Sequence, residues 1–389
     1  MINGSSLLFL FNILCMSVLY IFNPEHDLAL ANGSPFFNAP SSAMQFAADC
    51  YGVLSWLFDD NHDVEGNISC FCSMLKNSDL SAMPITSVVP WGWDAALCYA
   101  LQKAGVDNDV MPTAAQISDI RMLSNRQTAI DALAYLVQRH GLDISVPKAA
   151  DCICDAVAEA KRYASPVYKM PWSGSGKGIR ICRNDLTAND IKWLQNVIDK
   201  QGAVVCERYH NVICNFAMEF MADDGIEFVG YSLFDVGGVG YKSSRLMSDR
   251  AIECHLSQWI DIPTLLLYKS DIMEYMSVLL RGRYKGYFGV DMYVYFEEGR
   301  YKLNPMVEIN LRMTMGLVAN ILRKKMLCTD NQKLTVHYDG RRGAVSDHHR
   351  YMQETHPLRY NDQGKIQSGY ISLTQPTEHS HYNIYISDL

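Results

Sequence analysis

The chain has 389 residues, a formal net charge of -8 and a hydrophobic fraction of 49%, and 20% of its residues are charged. At about 100–200 residues per domain the length predicts two or three domains, and the composition is that of an ordinary soluble globular protein. The negative net charge favours neither a nucleic acid nor an anionic membrane as partner, so phosphate chemistry would have to depend on local basic groups.

The 12 cysteines do not follow the pattern of a disulfide framework. They are scattered, mostly within apolar segments, and the two C-x-C pairs lack partners at the spacing of a zinc site. We therefore expect free thiols in a reducing cytosol, which predicts a cytoplasmic protein.

The first residues allow two interpretations. The segment SSLLFLFNILCMSVLYIF resembles the apolar core of a signal peptide, but no Lys or Arg precedes it and no small-residue cleavage site follows. The favoured interpretation takes Met16 as the true start and SVLYIFN as the first buried strand, so that residues 1–15 belong to a wrongly assigned start. The alternative is a membrane anchor.

From residue 16 to about residue 118 the pattern alternates strands with helices, which predicts a small parallel α/β domain. A strand at VLYIFN leads into NPEHDLALANG, and then a helix at SAMQFAADCYGVLSWLF, a strand at ITSVVPW and a helix at AALCYALQKAG follow. In open α/β sheets, ligands collect beyond the carboxyl ends of the strands. The polar residues directly after the first strand are therefore candidates for substrate contact: Asn23, Glu25, His26 and Asp27. The alternative is that they only cap a turn and a helix.

From about residue 119 the pattern changes. The segment SDIRMLSNRQTAIDALAYLVQRHG predicts one amphipathic helix, with Ser124 or Asn125 as a plausible cap. Short strands and two helices then follow as far as residue 210, and residues 212–310 are dominated by strands with one long helix. The final segment is polar, carries scattered histidines and ends in two strands.

A glycine-rich segment follows one of these short strands. In YKMPWSGSGKGIR, Lys169 ends a strand, and another strand begins after the glycines. Glycines let backbone amides approach an anion, although the spacing is neither that of a Walker A loop nor that of a dinucleotide fingerprint. Such a hairpin can fold over nucleotide phosphates as a flap, and the alternative is a plain turn. The loop residues are Ser173, Gly174, Ser175, Gly176, Lys177 and Gly178.

The most informative segment is GYFGVDMYVYFEEGRYKLNPMVEINLRMTMG. It predicts two strands joined at a Glu298-Gly299 turn. With that turn, position 291 pairs with position 306, which places Asp291 diagonal to Glu308, on the face that Glu308 shares with Asn310. Two carboxylates and an amide oxygen form the oxygen-only site that Mg²⁺ prefers. The alternative, a solvated edge strand, is disfavoured because the opposite face is apolar.

Taken in order, five segments resemble the ATP-grasp superfamily: LSNRQTAIDAL, PVYKMPWSGSGKGIRIC, VVCERYHN, GYFGVDMYVY and PMVEINLRMTMG. Each is weak alone, but their order and spacing are fairly specific over residues 119–318. The resemblance implies an α/β fold in which a small parallel α/β domain (1–118) precedes α+β nucleotide-binding lobes. These would be a small lobe (119–205) with the glycine-rich loop and a large lobe (206–325) with the metal hairpin, followed by a C-terminal extension (326–389).

The resemblance also implies roles for individual residues. Lys169 would touch the phosphates of ATP below the closed loop, and Arg126 stands at a first-helix position that is commonly Lys in the family. Asp291, Glu308 and Asn310 would bind Mg²⁺ or Mn²⁺. A hinge at the adenine is implied for Glu207, Arg208, Tyr209 and His210.

Three basic residues are candidates for stabilising charge in the reacting intermediate. Arg312, two residues beyond the metal-binding asparagine, resembles the arginine of the family. Lys242 and Arg245 in the GYKSSR loop are further candidates, and the alternative for them is a solvated loop. The acid that the family uses to hold ribose is replaced here by Asn215 or displaced to Glu219.

Enzymes of the superfamily activate a carboxylate as an acyl phosphate, which an amine then attacks. The resemblance therefore implies an ATP- and Mg²⁺-dependent carboxylate–amine ligase whose partners are ATP, a small-molecule or peptide carboxylate and an amine acceptor. Two alternatives stay open: an ATP-dependent phosphotransferase of the same fold, and a non-catalytic nucleotide-binding module. Neither a nucleic acid nor a membrane is expected as partner, and a homodimer is one option for the oligomeric state.

Overall fold

The structure, a computed structural model, describes residues 17–58, 68–76, 78–174, 178–183, 185–237, 240–327 and 329–389. The expectation for residues 1–15 lies outside the described residues, and so do Ser175, Gly176 and Lys177 of the glycine-rich loop. Within the described ranges, no helix combines the length and the apolar character that crossing a bilayer requires. The cysteines of these ranges carry free thiols, as predicted.

The N-terminal region is built on a three-stranded parallel sheet with strand order β2-β1-β3. Leu19 and Ile21 of the central strand are fully buried. The strands are β1 (Ser17–Ile21), β2 (Ile68–Cys70) and β3 (Ile85–Pro90). The helices are α1 (His26–Asn32), α2 (Ser41–Cys50), α3 (Val53–Phe58), α4 (Cys72–Leu75) and α5 (Ala95–Lys103). This arrangement confirms the predicted parallel α/β unit.

Two helices follow where the sequence predicted one: α6 (Ala114–Leu123) and α7 (Arg126–His140). The single helix is wrong because Asn125 leaves the helical conformation. The predicted cap at Asn125 is confirmed, since its side chain accepts a hydrogen bond from the amide of Gln127. Asn125 is therefore the N-cap of a new helix. The break puts Arg126 in the first turn of α7.

A four-stranded antiparallel sheet with strand order β4-β7-β5-β6 comes next. Its strands are β4 (Lys148–Ala150), β5 (Pro166–Lys169), β6 (Ile179–Ile181) and β7 (Val204–Arg208). The helices α8 (Ile153–Ala160) and α9 (Ala188–Gln201) pack on this sheet around the fully buried Tyr168 and Leu194. The glycine-rich segment joins β5 to β6, as the sequence predicted.

The largest element is an eight-stranded antiparallel sheet with strand order β12-β11-β8-β9-β10-β13-β17-β16. Its strands are β8 (Asn211–Ala222), β9 (Ile226–Gly237), β10 (Gly240–Leu246), β11 (Gly286–Glu297), β12 (Arg300–Asn310), β13 (Gln332–Tyr338), β16 (Ile371–Ser372) and β17 (Tyr382–Asp388). Two short strands, β14 (Arg359–Tyr360) and β15 (Ile366–Ser368), pair separately. The GYKSSR segment, predicted as a loop, is the strand β10.

The two faces of the large sheet have different cover. Helices α7, α10 (Asp249–Leu256) and α11 (Ile262–Leu280) pack on one face, where the even-numbered residues of β8 are buried. Helix α12 (Met315–Met326) packs on the other face together with Phe22 and Trp91 of the N-terminal region. A last helix, α13 (Ala344–Thr355), lies in the C-terminal segment, whose strands β13, β16 and β17 extend the large sheet.

The β11–β12 hairpin has the predicted turn but a different register beyond it. Glu298 and Gly299 have φ values of 52° and 78°, which suits a two-residue hairpin turn. The pairing of Tyr293 with Asn304 follows the predicted register, but the register then shifts, so that Asp291 pairs with Glu308. The predicted pairing of positions 291 and 306 is therefore wrong. Pro305 has no backbone N–H for the ladder, and the shift occurs around it.

Candidate active site

The β11–β12 hairpin presents an acidic group of residues. Asp291 lies directly opposite Glu308, rather than diagonal to it as predicted, and Asn310 is two residues further along β12. Burial, and then the charge of Glu308, raise the pKa of Asp291 to about 7. Two carboxylates this close repel each other, and a divalent cation bound to both would remove that repulsion. Because all three side chains offer oxygen, the donor set fits Mg²⁺ or Mn²⁺.

Arg126 connects the acidic hairpin to the glycine-rich loop. Its Nη2 lies 3.0 Å from Glu308 Oε1. Its Nε donates to the carbonyl oxygen of Met170 at 2.9 Å, and its Nη2 donates to Ser173 Oγ at 3.2 Å. The guanidinium is buried, and three partners therefore fix its position.

Arg312 makes the second link, and its partner comes from the N-terminal region. Its Nε lies 3.0 Å from Asp27 Oδ1, and its Nη2 lies 2.9 Å from Asp27 Oδ2. The same Nη2 donates to Asn310 Oδ1 at 2.9 Å. Burial alone would raise the pKa of Asp27, but the charge of Arg312, its hydrogen bonds and further positive charges nearby together outweigh burial, so the pKa lies below its ordinary value. This two-point geometry is the strong form of an arginine–carboxylate pair.

In the described part of the glycine-rich loop, a Cβ atom at either of two glycines would clash with a neighbouring side chain. A Cβ on Gly174 would lie 2.1 Å from Asp27 Oδ2, and one on Gly178 would lie 2.4 Å from Ser173 Oγ. The amide of Met170 donates to the carbonyl oxygen of Gly178 at 2.8 Å, which closes the base of the loop. The arm of the loop that follows β5 therefore lies against Asp27 through Gly174 and against Arg126 through Met170 and Ser173.

Lys169 and Glu207 form a buried ion pair in the small sheet. Lys169 Nζ lies 2.5 Å from Glu207 Oε1, and the lysine side chain is only 7% exposed. The pair follows from the register of β5 and β7, in which Lys169 is two positions from Val167, the partner of Glu207. The pair holds the ammonium group of Lys169 at the end of β5, where the glycine-rich loop begins.

The remaining residues of the predicted hinge differ in exposure. Arg208 Nη1 lies 2.9 Å from Glu297 Oε1, and Tyr209 is exposed. His210 Nδ1 is 2.7 Å from the hydroxyl of Tyr293, and its ring stacks on Tyr295 with centroids 4.1 Å apart. Burial lowers the pKa of His210. This segment thus passes directly above the aromatic residues of β11.

Tyr293 and Tyr295 are site residues that the sequence analysis did not select. Both share the face of β11 that carries Asp291, because side chains two apart on a strand point the same way. The alternation in DMYVYF was the available signal.

Asn215 and Glu219 lie on the same face of the large sheet, four residues apart along β8. Asn215 pairs with Tyr293 of β11, close to the hinge. Glu219 is buried further along β8, where its oxygens accept hydrogen bonds from Ser232 and Thr314 at 3.0 and 2.9 Å. Of the two positions considered for the ribose contact, Asn215 is the one that lies beside the hinge.

Arg245 does not join the other site residues. Arg245 pairs with Leu233 on β9, and Leu233 pairs with Phe216 on β8. Paired residues share a face of the sheet, so Arg245 lies on the face that helices α7, α10 and α11 cover. Asp291 and Glu308 lie on the opposite face, and the prediction that groups Arg245 with them is wrong in geometry. Lys242 is exposed on β10 next to the undescribed residues 238 and 239.

The N-terminal region is fastened to the site by residues at the ends of β1 and β3. The amide of Met313 donates to the carbonyl oxygen of Trp91 at 2.7 Å. Asn23 Nδ2 donates to the carbonyl oxygen of Gly92 at 2.7 Å, and His26 Nδ1 is 3.4 Å from Asp94 Oδ2. Asn23 and His26 thus have structural partners within this region, whereas Asp27 reaches the site.

Most of the predicted site residues therefore meet at one place, between the small sheet and one face of the large sheet. The residues brought together are Arg126, Lys169, Ser173, Gly174, Glu207, His210, Asn215, Asp291, Glu308, Asn310 and Arg312, together with Asp27, which was predicted as a candidate for substrate contact.

In sequence, the chain matches no family model and no curated protein. In structure, it is similar to the pyruvate carboxylase of Rhizobium etli, with a TM-score of 0.51 and 11% identity, over 96% of this chain and 36% of that one. The chain has the ATP-grasp fold. This confirms the predicted fold, in which a parallel α/β region precedes the ATP-grasp lobes.

Two smaller enzymes are also similar to the chain. N5-carboxyaminoimidazole synthetase from Staphylococcus aureus, complexed with ADP, has a TM-score of 0.49 and 12% identity, over 96% of this chain and 93% of that one. D-alanyl-alanine synthetase A from Vibrio cholerae has a TM-score of 0.47 and 12% identity, over 80% of this chain and 93% of that one.

Proposed function

We propose that the protein is an ATP- and Mg²⁺-dependent ligase that activates a carboxylate as an acyl phosphate for attack by an amine. The observation that carries the proposal is the meeting of an oxygen-only acidic set, Asp291, Glu308 and Asn310, with the guanidinium groups of Arg126 and Arg312. Carboxylates that bind a divalent cation, next to fixed positive charges, are what phosphoryl transfer needs.

The nucleotide would lie between the small sheet and the large sheet. Lys169 would contact the phosphates, and the loop that contains Ser173 and Gly174 would cover them. The segment from Glu207 to His210 would hold the adenine, mainly through its backbone. Arg126 would fix the position of the covering loop relative to the acidic hairpin, because it contacts both.

Asp291, Glu308 and Asn310 would hold the metal ion, Mg²⁺ or Mn²⁺. When bound, the ion offsets the negative charge of the transferred phosphoryl group. Burial and the charge of Glu308 raise the pKa of Asp291, and a divalent cation bound by both carboxylates would offset their repulsion, which supports this role.

In the reaction, a carboxylate oxygen of the substrate attacks the γ-phosphorus of ATP, and the bond from that phosphorus to the bridging oxygen of ADP breaks. The amine nitrogen then attacks the acyl carbon, inorganic phosphate leaves, and the amine gives up a proton. Arg312 would stabilise the charge that develops on the oxygens. Closure of the glycine-rich loop would keep water from hydrolysing the acyl phosphate.

The experiment has two stages. The melting temperature is first measured with ATP and Mg²⁺, for the wild type, for Glu308→Gln and for Glu227→Gln, an exposed glutamate on β9. We expect a Mg²⁺-dependent stabilisation by ATP in the wild type and in Glu227→Gln, and a smaller one in Glu308→Gln. An equal shift in all three would contradict the metal site, and no shift at all would contradict nucleotide binding.

The second stage incubates the protein with MgATP, a panel of carboxylic acids and hydroxylamine, which converts an acyl phosphate into a hydroxamate and inorganic phosphate. A ligase yields ADP and hydroxamate with its own acid. A phosphotransferase yields ADP and a phosphorylated product that resists hydroxylamine, and a non-catalytic module leaves ATP intact.

The cytosolic location and the homodimer remain predictions. Fractionation of cells would test the first, and light scattering would test the second.

A further inference from the structure

Asp27 occupies a position that is built for an anion. Its carboxylate accepts hydrogen bonds from Arg312: Nε lies 3.0 Å from Oδ1 and 3.2 Å from Oδ2, and Nη2 lies 2.9 Å from Oδ2. The nearby charge of Arg126 also favours the ionised carboxylate. Gly174 of the covering loop lies against Asp27 Oδ2 so closely that it leaves no room for a Cβ atom. Two guanidinium groups and a loop backbone thus surround one carboxylate.

The carboxylate belongs to the N-terminal region rather than to the nucleotide-binding lobes. Asp27 lies in the first turn of α1, directly after His26, which is buried against Asp94. The carbonyl oxygen of Trp91 and the amide of Met313 tie the same region to the end of β12. The N-terminal region is therefore fixed, and it holds Asp27 within the site.

Arg312 has little capacity left for another anion in this arrangement. Its Nε and Nη2 both donate to Asp27, Nη2 also donates to Asn310, and Nη1 donates to the carbonyl oxygen of Met313 at 3.1 Å. A guanidinium group offers five N–H donors in a fixed fork, and the edge best suited to an oxyanion is already taken. An incoming oxyanion must compete with Asp27 for it.

We propose that Asp27 is an internal occupant of the oxyanion subsite on Arg312, and that the reacting anion, a carboxylate or a phosphoryl group, binds there by displacing it. The inference rests on the proposed function, since it concerns the same site. Because Asp27 is tethered beside Arg312, small anions that bind weakly do not displace it. The subsite therefore opens only to an anion that is also held by the bound nucleotide or by further contacts.

The test titrates oxyanion probes into protein saturated with MgADP and follows the melting temperature. The probes are inorganic phosphate, which represents a phosphoryl group, and acetate, which represents a carboxylate. The variants are Asp27→Asn, which removes the charge and keeps the shape, and Gly174→Ala, whose methyl group forces Asp27 away from its position. The control is Asp223→Asn, since Asp223 pairs with the exposed Lys285 away from the site.

We expect Asp27→Asn to bind at least one of the two probes about tenfold or more tightly than the wild type, because a two-point charged pair no longer competes. Gly174→Ala should shift the affinity in the same direction, and it decides the test if Asp27→Asn does not fold. Asp223→Asn should match the wild type. A gain with phosphate alone identifies a phosphoryl subsite, and a gain with acetate alone identifies a carboxylate subsite.

Unchanged affinity for both probes in every folded variant would overturn the inference and would make Asp27 a permanent structural partner of Arg312. The added change Arg312→Lys should abolish the gain of Asp27→Asn, and a gain that persists would also overturn it. The proposed function fails separately, if MgADP stabilises neither the wild type nor Asp223→Asn.

Discussion

Arg126 Nη2 lies 3.0 Å from Glu308 Oε1, so the first turn of α7 is joined directly to the second strand of the acidic hairpin. The two residues are far apart in sequence, and the contact brings one guanidinium to the edge of the predicted metal site. The same guanidinium donates to the carbonyl oxygen of Met170 and to Ser173 Oγ, on the arm of the loop that follows β5. Arg126 therefore couples the position of the covering loop to that of the acidic residues.

We expect Arg126→Lys to weaken MgADP binding about tenfold, because an ammonium group can keep the contact with Glu308 but not the fork to Met170 and Ser173. The measurement is a titration of MgADP followed by melting temperature. The control is Arg323→Lys, since Arg323 at the end of α12 donates to Asp330 and to the carbonyl oxygen of Leu327, outside the site. Equal affinities in Arg126→Lys and the wild type would exclude the coupling.

The sequence was sufficient where local signals decide the structure. The Glu298-Gly299 turn was predicted because glycine is favoured at positive φ, and the alternation on both sides of it defines two strands. Lys169 at the end of β5 was likewise read from a strand followed by glycines. These features depend on neighbours along the chain.

The sequence was insufficient where distant residues decide. The register shift around Pro305 places Asp291 opposite Glu308 rather than diagonal to it. Counting residues outward from the turn assumes a regular ladder and therefore does not predict this shift. The strand β10 forms because β9 and β13 pair with it on both sides, although GYKSSR has the composition of a loop. That strand placement is what turns Arg245 towards the helices.

The contact of Asp27 with Arg312 could be expected only in part. The position after the first strand made Asp27 a candidate, since ligands collect at strand ends in α/β sheets. Its partner is 285 residues further along the chain, and the pairing depends on how the N-terminal region packs on the large sheet. No pattern in the sequence carries that information.

The hairpin turn offers a test of stability without effect on the site. Glu298 has φ of 52°, a left-handed conformation that is unfavourable for glutamate and easier for asparagine. We expect Glu298→Asn to raise the free energy of unfolding by roughly 0.5 kcal/mol. Urea unfolding measures the change, and Glu298→Ala is the control for loss of the side chain. A lower stability for Asn than for Ala would contradict the conformational argument.

The buried pair of Lys169 and Glu207 should be more important for stability than an exposed pair. We expect Glu207→Gln to lower the free energy of unfolding by about 1–3 kcal/mol, because it leaves a buried ammonium without its counter-charge. Glu159→Gln is the matched control: Glu159 pairs with Lys148, whose side chain is 55% exposed, whereas that of Lys169 is 7% exposed. Urea unfolding of both variants is compared with the wild type. Equal losses in the free energy of unfolding would contradict the argument from burial.

Glu219 should make the stability of the protein depend on pH. Burial raises its pKa to about 8, although Thr314 and Ser232 donate hydrogen bonds to its oxygens. Because the folded state holds this proton more tightly than the unfolded state, the contribution of Glu219 is fully present below the unfolded pKa and is lost as the pH rises towards 8. The loss between those two pKa values is on the order of 4 kcal/mol.

Glu219→Gln removes this titration and keeps the shape, so the variant should gain stability relative to the wild type as the pH rises from 5 to 8. Urea unfolding at several pH values, without divalent cations, measures the difference in the free energy of unfolding between the two proteins. The control is Glu227→Gln, because Glu227 is exposed on the neighbouring strand β9 and its variant measures the effect of removing a glutamate without burial. A constant difference between wild type and Glu219→Gln across this range would mean that Glu219 is ionised in the folded protein. Its carboxylate would then need a cation or further donors beyond the hydroxyl groups of Ser232 and Thr314, because two neutral hydrogen bonds do not offset the burial of a charge.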